Sequence, residues 1–209
     1  MVREVDGSVI ERTTTEGQMP PIGARPPSFA DLYEEHFEFV WRAARRLGVP
    51  EANAEDAVQD SFVVLHRKIA EYNGQTPLRR WLLGIVTRVA SDYRRRYRRK
   101  EAKGTPLSAQ DDGDVRFAST LPAPNETAER NETARLVEAL LATLEDEKRE
   151  VLVLIELEDL TAAEVAEMTG VNINTIYTRL RAARRAFELA FEEHQQAQVA
   201  TSARKRSSL

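Results

Sequence analysis

From Phe29 onward, apolar residues return at three- and four-residue steps: Phe29, Leu32, Tyr33, Phe37, Val40, Trp41, Ala44 and Leu47. That spacing lines one face of an α-helix, with Ser28 in the capping position. Gly48-Val49-Pro50 ends it. The pattern then recurs. A second helix over 54–69 places Ala57, Val58, Phe62, Leu65 and Ile69 inside, and a third does so with Leu78, Trp81, Leu82, Ile85, Val89 and Tyr93. Three helices of this size share one core. Trp81 falls at helical spacing and is expected to be part of it.

Periodicity stops over 104–127, where Gly, Pro, Ser and Asp dominate; such a stretch reads as an extended linker. It resumes near Glu129. Leu136, Val137, Leu140, Leu141 and Leu144 mark one helix, and Val151, Leu152, Leu154, Ile155 and Leu157 the next. Thr161, with Glu164 three residues on, forms a capping box for a short helix through Met168. Gly170 turns the chain, and Asn172 or Asn174 caps a last helix carrying Ile176, Leu180 and Phe187. The expected architecture is all-α. Two small helical domains, 28–103 and 129–194, are joined by the linker 104–128 and flanked by a mobile arm (1–27) and a basic tail (195–209).

Composition agrees, since alanine, leucine, arginine and glutamate dominate and there are only nine glycines. Cysteine is absent, which excludes disulfides and thiolate metal sites and fits a reducing compartment. No apolar run approaches the ~20 residues that span a bilayer. The N-terminus lacks the apolar core of a signal peptide. A cytoplasmic protein without membrane insertion is expected.

The formal net charge of −4 conceals strong segregation. Arg79, Arg80, Arg88, Arg94, Arg95, Arg96, Arg98, Arg99, Lys100 and Lys103 crowd one stretch, opposed there only by Asp92 and Glu101. Arg179, Arg181, Arg184 and Arg185 form a second basic run, while acids collect over 31–38, 51–60 and 145–159. Two polyanion-facing surfaces follow, with acidic faces left for something else.

The sharpest local pattern is 160–180, two short helices around Gly170 with Val165, Ala166, Val171, Ile176 and Leu180 inside. This is a helix-turn-helix, whose second helix lies in the major groove of duplex DNA. Asn174, Thr175, Tyr177, Thr178 and Arg181 are its candidate base readers, because amides, hydroxyls and guanidinium match the groove's donors and acceptors. Arg179, Arg184 and Arg185 are candidate phosphate contacts. The bland alternative is a helical hairpin with a solvated basic face.

Two more constellations precede it. The loop 72–77 (Tyr72-Asn73-Gly74-Gln75-Thr76-Pro77) leads into the helix carrying Arg79 and Arg80, so aromatic and amide groups stand beside dense cations. Such a set suits capture of an unstacked base while its backbone is held. Upstream, Asp56, Gln59 and Asp60 occupy adjacent turns of one helix, opposite its core face. Pattern alone leaves this strip open between a solvated face and an interface. His36, His66 and His194 form no ligand motif, and neither a nucleophile–base motif nor a phosphate-binding glycine loop occurs. Neither catalysis, a cofactor nor a metal site is expected.

In order, these pieces resemble a known family. The helix Ala54-Glu55-Asp56-Ala57-Val58-Gln59-Asp60-Ser61-Phe62, the Tyr72-Asn73-Gly74 loop and Trp81-Leu82-Leu83-Gly84-Ile85 with its Arg-rich end resemble region 2 of extracytoplasmic-function sigma factors. The segment from Leu144 to Leu152, followed by the helix-turn-helix, resembles their region 4. The resemblance implies that Asp56, Gln59 and Asp60 face the clamp coiled coil of bacterial core RNA polymerase. It implies that Tyr72, Asn73, Gln75 and Thr76 capture a base of the minus-ten element. Arg79, Arg80, Arg88, Arg94, Arg95 and Arg96 would then hold the melting strands. Region 4 would read the minus-thirty-five element as duplex and meet the polymerase flap. Asp111, Asp112 and Asp114 of the linker would thread the polymerase channels, and family habit adds an anti-sigma factor as a partner. Arg88 stands where the family usually has Asn, and Tyr177 where it usually has a basic residue, so promoter sequence is not inherited from better-known members.

A rival reading is a helix-turn-helix regulator that binds duplex operators without polymerase. It leaves the first helical unit and its acidic strip unexplained.

Overall fold

The computed structural model describes residues 29–102 and 128–207, all of them helix, turn or loop. The expected Ser28 cap, arm 1–27 and linker 104–127 lie outside the described residues. Helix α1 (Phe29–Arg46) buries Leu32, Phe39, Val40, Ala43 and Ala44. Gly48 then takes φ +93°, a left-handed conformation that costs glycine little, and Val49 turns in to donate to the Ala44 carbonyl at 3.1 Å. Helix α2 (Ala54–Lys68) buries Ala57, Val58, Ser61, Phe62 and Leu65. The Ser61 hydroxyl donates to the Ala57 carbonyl at 2.7 Å, which makes its burial tolerable. Helix α3 (Leu78–Ala102) packs across both. Phe62, Leu65 and Leu82 are sealed in the shared core, each burial stabilising by about 1.5–3 kcal/mol relative to exposure.

The second unit begins with α4 (Ala128–Ala142) and α5 (Asp146–Leu152). Arg149 of α5 is buried because it finishes α4: its Nε donates to the Leu141 carbonyl at 2.7 Å and its Nη2 to Leu144 and Ala142 at 2.9 and 3.1 Å. These carbonyls lie at and just beyond the end of α4, where of the three only Leu141 also accepts a backbone bond, from the Leu144 N–H at 3.1 Å, so the guanidinium acts as a C-terminal cap. Helix α5 runs into a π turn, Val153–Leu157, which the sequence reading treats as ordinary helix. The extra residue in that turn is followed by Asp159 at φ 55°, and the chain swings into α6 (Ala162–Thr169). Gly170 at φ 71° closes α6, and α7 (Ile173–Ser207) packs over α5 and α6. It continues well past residue 194, where the sequence reading begins a tail.

The two units pack against each other, and one apolar cluster runs from Leu47 and Val49 of the first to Leu141, Leu144 and Val151 of the second. Gly84 of α3 sits against Met168 of α6; a Cβ there would lie 3.8 Å from the Met168 side chain. No helix among the described residues is long and apolar enough to cross a membrane.

Candidate nucleic-acid interface

The helix-turn-helix is held by two caps. The Thr161 hydroxyl accepts from the Glu164 backbone N–H at 3.3 Å, while the Glu164 carboxylate accepts from the Thr161 N–H at 2.8 Å. These bonds hold the Glu164 carboxyl below the usual carboxylate range. For α7 the cap is Asn172, whose side-chain oxygen accepts from the Asn174 N–H at 2.9 Å. Ile176, Leu180 and Ala183 point into the core, so the same helix turns Asn174, Thr175, Tyr177, Thr178 and Arg181 outward. Tyr177 is 54% exposed, its ring and hydroxyl both on the outward face. Arg179 is half-buried and Arg185 exposed. Arg184 is already engaged, donating to Glu156 of the π turn at 2.8 and 2.5 Å. Tyr177, Leu180, Arg181, Arg184, Arg185 and Glu188 line an open hollow along this face.

The loop between α2 and α3 has a shape of its own. The Tyr72 hydroxyl donates to the Thr76 carbonyl at 2.5 Å, and the Asn73 side-chain oxygen accepts from the Gln75 N–H at 3.0 Å. Tyr72 leans on Trp81, ring centroids 5.2 Å apart, and Trp81 itself packs against the core. Asn73, Gln75 and Thr76 remain exposed on a short, pre-shaped loop. Tyr72 is half-buried, with its hydroxyl already used.

The arginines of α3 separate into distinct fates. Arg88, Arg95 and Arg96 are exposed; Arg95 pairs with Asp92, and Arg96 lies over the Tyr93 ring at 5.7 Å. Arg79 covers the Phe39 ring at 4.2 Å and reaches Glu158 at 3.5 Å, while Arg80 pairs with Glu164. Arg94 stands apart from the others. Grouped in the sequence with Arg95 and Arg96 as a strand-holding cation, it is 7% exposed, donating to the Leu47 carbonyl and to Glu150, both at 2.5 Å. A guanidinium so occupied is not presented to a phosphate in this arrangement. Its place on α3 follows Leu83, Val86 and Ala90 at helical steps, so the helix itself turns it inward.

On α2, Asp56 and Asp60 are exposed and Gln59 half-buried. The Tyr93 hydroxyl donates to Asp60 Oδ2 at 2.9 Å, and burial followed by the Asp60 bond pushes the Tyr93 phenol well above its ordinary pKa. Sequence reasoning overlooked Tyr93 as a polar partner because its spacing marked it as core. It also overlooked Glu158. The side chain of Glu158 is 3% exposed, between Arg46 at 3.3 Å and Arg79 at 3.5 Å. Burial raises its pKa and the two arginines oppose the shift.

Two matches account for this arrangement. Residues 32–100 match Sigma-70 region 2, and residues 134–187 match Sigma-70, region 4. The RNA polymerase sigma factor CnrH of Cupriavidus metallidurans is 30% identical over 162 residues, covering 75% of this chain and 83% of that protein. The ECF RNA polymerase sigma factor SigM of Mycobacterium tuberculosis is 28% identical, covering 83% of this chain and 82% of that protein. The chain belongs to the extracytoplasmic-function group of sigma-70 factors. Among solved structures, this sigma factor is similar to CnrH in complex with the cytosolic domain of CnrY, at TM-score 0.53 and 25% identity, over 79% of this chain and 88% of that one. It shares its fold with the sigma factor RpoE of Bartonella quintana, solved with the anti-sigma factor NepR, at TM-score 0.54 and 22% identity, over 78% of this chain and 97% of that one. Both halves of the sigma factor are thereby accounted for, which the operator-binding alternative did not achieve. Its relatives are sigma factors rather than enzymes.

Proposed function

We propose that this sigma factor docks core RNA polymerase through Asp56, Gln59 and Asp60, and reads promoter DNA at two separate surfaces. In the first unit, Asn73, Gln75 and Thr76 take up an unstacked minus-ten base, and Arg79, Arg80, Arg88, Arg95 and Arg96 hold the opened strand. Tyr72 shapes that loop from beneath. Unstacking a base costs a few kcal/mol, and cations on the strand backbone offset part of that cost. In the second unit, Asn174, Thr175, Tyr177, Thr178 and Arg181 face the minus-thirty-five duplex, with Arg179, Arg184 and Arg185 setting register on its phosphates.

The observation that carries this reading is the placing of the three groups. An outward acidic strip, an outward amide-bearing loop beside arginines and an outward helix-turn-helix face occur in one chain, in the order of sigma regions 2 and 4. Binding both DNA elements from one polymerase-bound chain raises the effective concentration of each contact. The outer face of region 4 meets the polymerase flap, and an anti-sigma factor holds the chain inactive, as the partners of CnrH and RpoE in their solved complexes suggest. The chain works in the cytoplasm, where polymerase is, and makes no bonds itself.

Co-purification with core polymerase tests the docking strip. Wild type should be retained and Asp56→Arg/Asp60→Arg lost; equal retention would place the docking surface elsewhere.

A further inference from the structure

Glu156 belongs to the π turn, outside the helix-turn-helix, yet its side chain reaches the recognition helix. The turn puts it there. Val153 and Leu154 are buried, the Glu158 N–H donates to the Val153 carbonyl at 3.1 Å, and the Leu160 N–H donates to the Leu154 carbonyl at 3.0 Å. The frame that carries Glu156 is therefore closed by its own backbone, and α5, which leads into it, packs on α7. Single π turns inside helices are frequent at functional sites.

Arg184 donates to Glu156 Oε1 twice, from Nε at 2.8 Å and from Nη2 at 2.5 Å. Nη1 takes no part in that pair. Of Arg179, Arg181, Arg184 and Arg185, Arg184 is the one with a carboxylate partner among the described residues. Unlike Arg94 it is not withdrawn from water: its side chain is 56% exposed and lines the open hollow with Tyr177, Arg181 and Arg185. A pair so exposed contributes little to stability, because water and salt compete for both partners. What it does supply is a direction for the guanidinium.

We propose that Glu156 is a positioning residue for promoter readout: it holds the Arg184 guanidinium at the rim of this hollow, so that Nη1 seats one phosphate of the minus-thirty-five duplex. This rests on the proposed reading of that duplex by α7. Two effects of Glu156 oppose each other. Its charge repels the phosphate, but at an exposed site that repulsion is screened over about 8 Å at physiological salt. Against it stands the ordering of a long, many-rotamer side chain, which is complete before DNA arrives and is not charged to binding. The planar guanidinium makes both contacts possible at once, since one edge meets the carboxylate while another nitrogen is left for the phosphate.

The two effects predict opposite signs. The probe is a fluorescein-labelled duplex spanning a start site that wild type directs in run-off transcription, titrated by anisotropy with holoenzyme assembled from core polymerase and the full chain. Glu156→Gln should weaken binding on the order of fivefold and lower the slope of log affinity against log salt by about 1, with the urea midpoint unchanged. Tighter binding, the result if Glu156 merely repels or competes with DNA, would overturn the proposal. Arg184→Ala should show a similar loss, and adding Glu156→Gln to it should cause no further loss, because the two side chains act as one unit. Additive losses would overturn the positioning role. Arg184→Lys keeps the charge without the planar fork and should bind about as weakly as Arg184→Ala; wild-type affinity would again overturn it. If Arg184→Ala itself binds as wild type does, the proposed phosphate contact fails and the positioning role with it. If Arg184→Ala weakens binding and Glu156→Gln does not, the positioning role alone fails.

Discussion

Asp60, on the acidic strip of α2, accepts a hydrogen bond from the Tyr93 hydroxyl of α3 at 2.9 Å. The bond fixes one carboxylate of the proposed docking strip relative to the helix that carries the DNA-facing arginines. Tyr93→Phe keeps the ring and removes only the donor. Its expected cost in stability is at most about 1 kcal/mol, since Asp60 is solvated. Core polymerase affinity should fall several-fold as Asp60 loses its orientation, which a competition assay against wild type measures. Unchanged affinity would show that the strip needs no positioning from α3.

Arg149 caps α4 from inside the core, and its neighbour Gly48 leaves the space for it. Arg149→Met should destabilise by about 3 kcal/mol, because the Leu144 carbonyl loses its guanidinium donor in a buried setting and the Leu141 carbonyl keeps only the Leu144 N–H. Gly48→Ala acts on the same spot. Alanine at φ +93° is strained, and its Cβ would collide with Arg149 Nη1. Both variants should lower the urea midpoint, and a wild-type midpoint for either would contradict this packing.

The capping box of α6 gives a pH signature. The Glu164 carboxyl is held below its ordinary pKa by its bonds to Thr161, so the folded state prefers it charged. Its contribution is therefore fully present above the unfolded carboxylate value and is lost as pH falls through the lower folded value. Glu164→Gln should flatten the acid limb of the stability–pH curve, and Thr161→Ala should cost about 1 kcal/mol at neutral pH. Identical acid limbs for wild type and Glu164→Gln would remove the cap from the account.

On the recognition helix, the two kinds of contact separate by salt. Arg185→Ala should weaken duplex binding evenly across sequences and reduce the slope of log affinity against log salt by about 1. Arg181→Ala should instead cost about 1–3 kcal/mol on the preferred sequence and relax selection at one base pair. Selection of binding sites from a random duplex pool, repeated for each variant at two salt concentrations, reads both.

Much of this was legible in the chain because its signals are local. The steps from Leu32 to Leu47 give α1, and Thr161 with Glu164 gives the start of α6, each from residues within a turn or two of one another. What was hidden depends on contacts far apart in sequence. Arg94 looks like its neighbours Arg95 and Arg96 until the step from Ala90 is followed, which turns it to the packed side of α3. Even then its partners, Leu47 and Glu150, lie 47 and 56 residues away. The acids over 145–159 were set aside as a face for an unspecified partner, whereas several of them face the chain's own arginines. Charge segregation shows that opposite faces exist and says nothing about which faces meet. The π turn was equally silent, since its residues Val153, Leu154, Ile155, Glu156 and Leu157 carry the apolar steps of an ordinary helix.

Promoter-directed initiation is the central claim, and run-off transcription addresses it most directly. Purified core polymerase is supplied with genomic fragments, with and without this protein. Discrete new start sites should appear with wild type and vanish with Asp56→Arg/Asp60→Arg. No new start sites, together with no detectable binding to core, would contradict it.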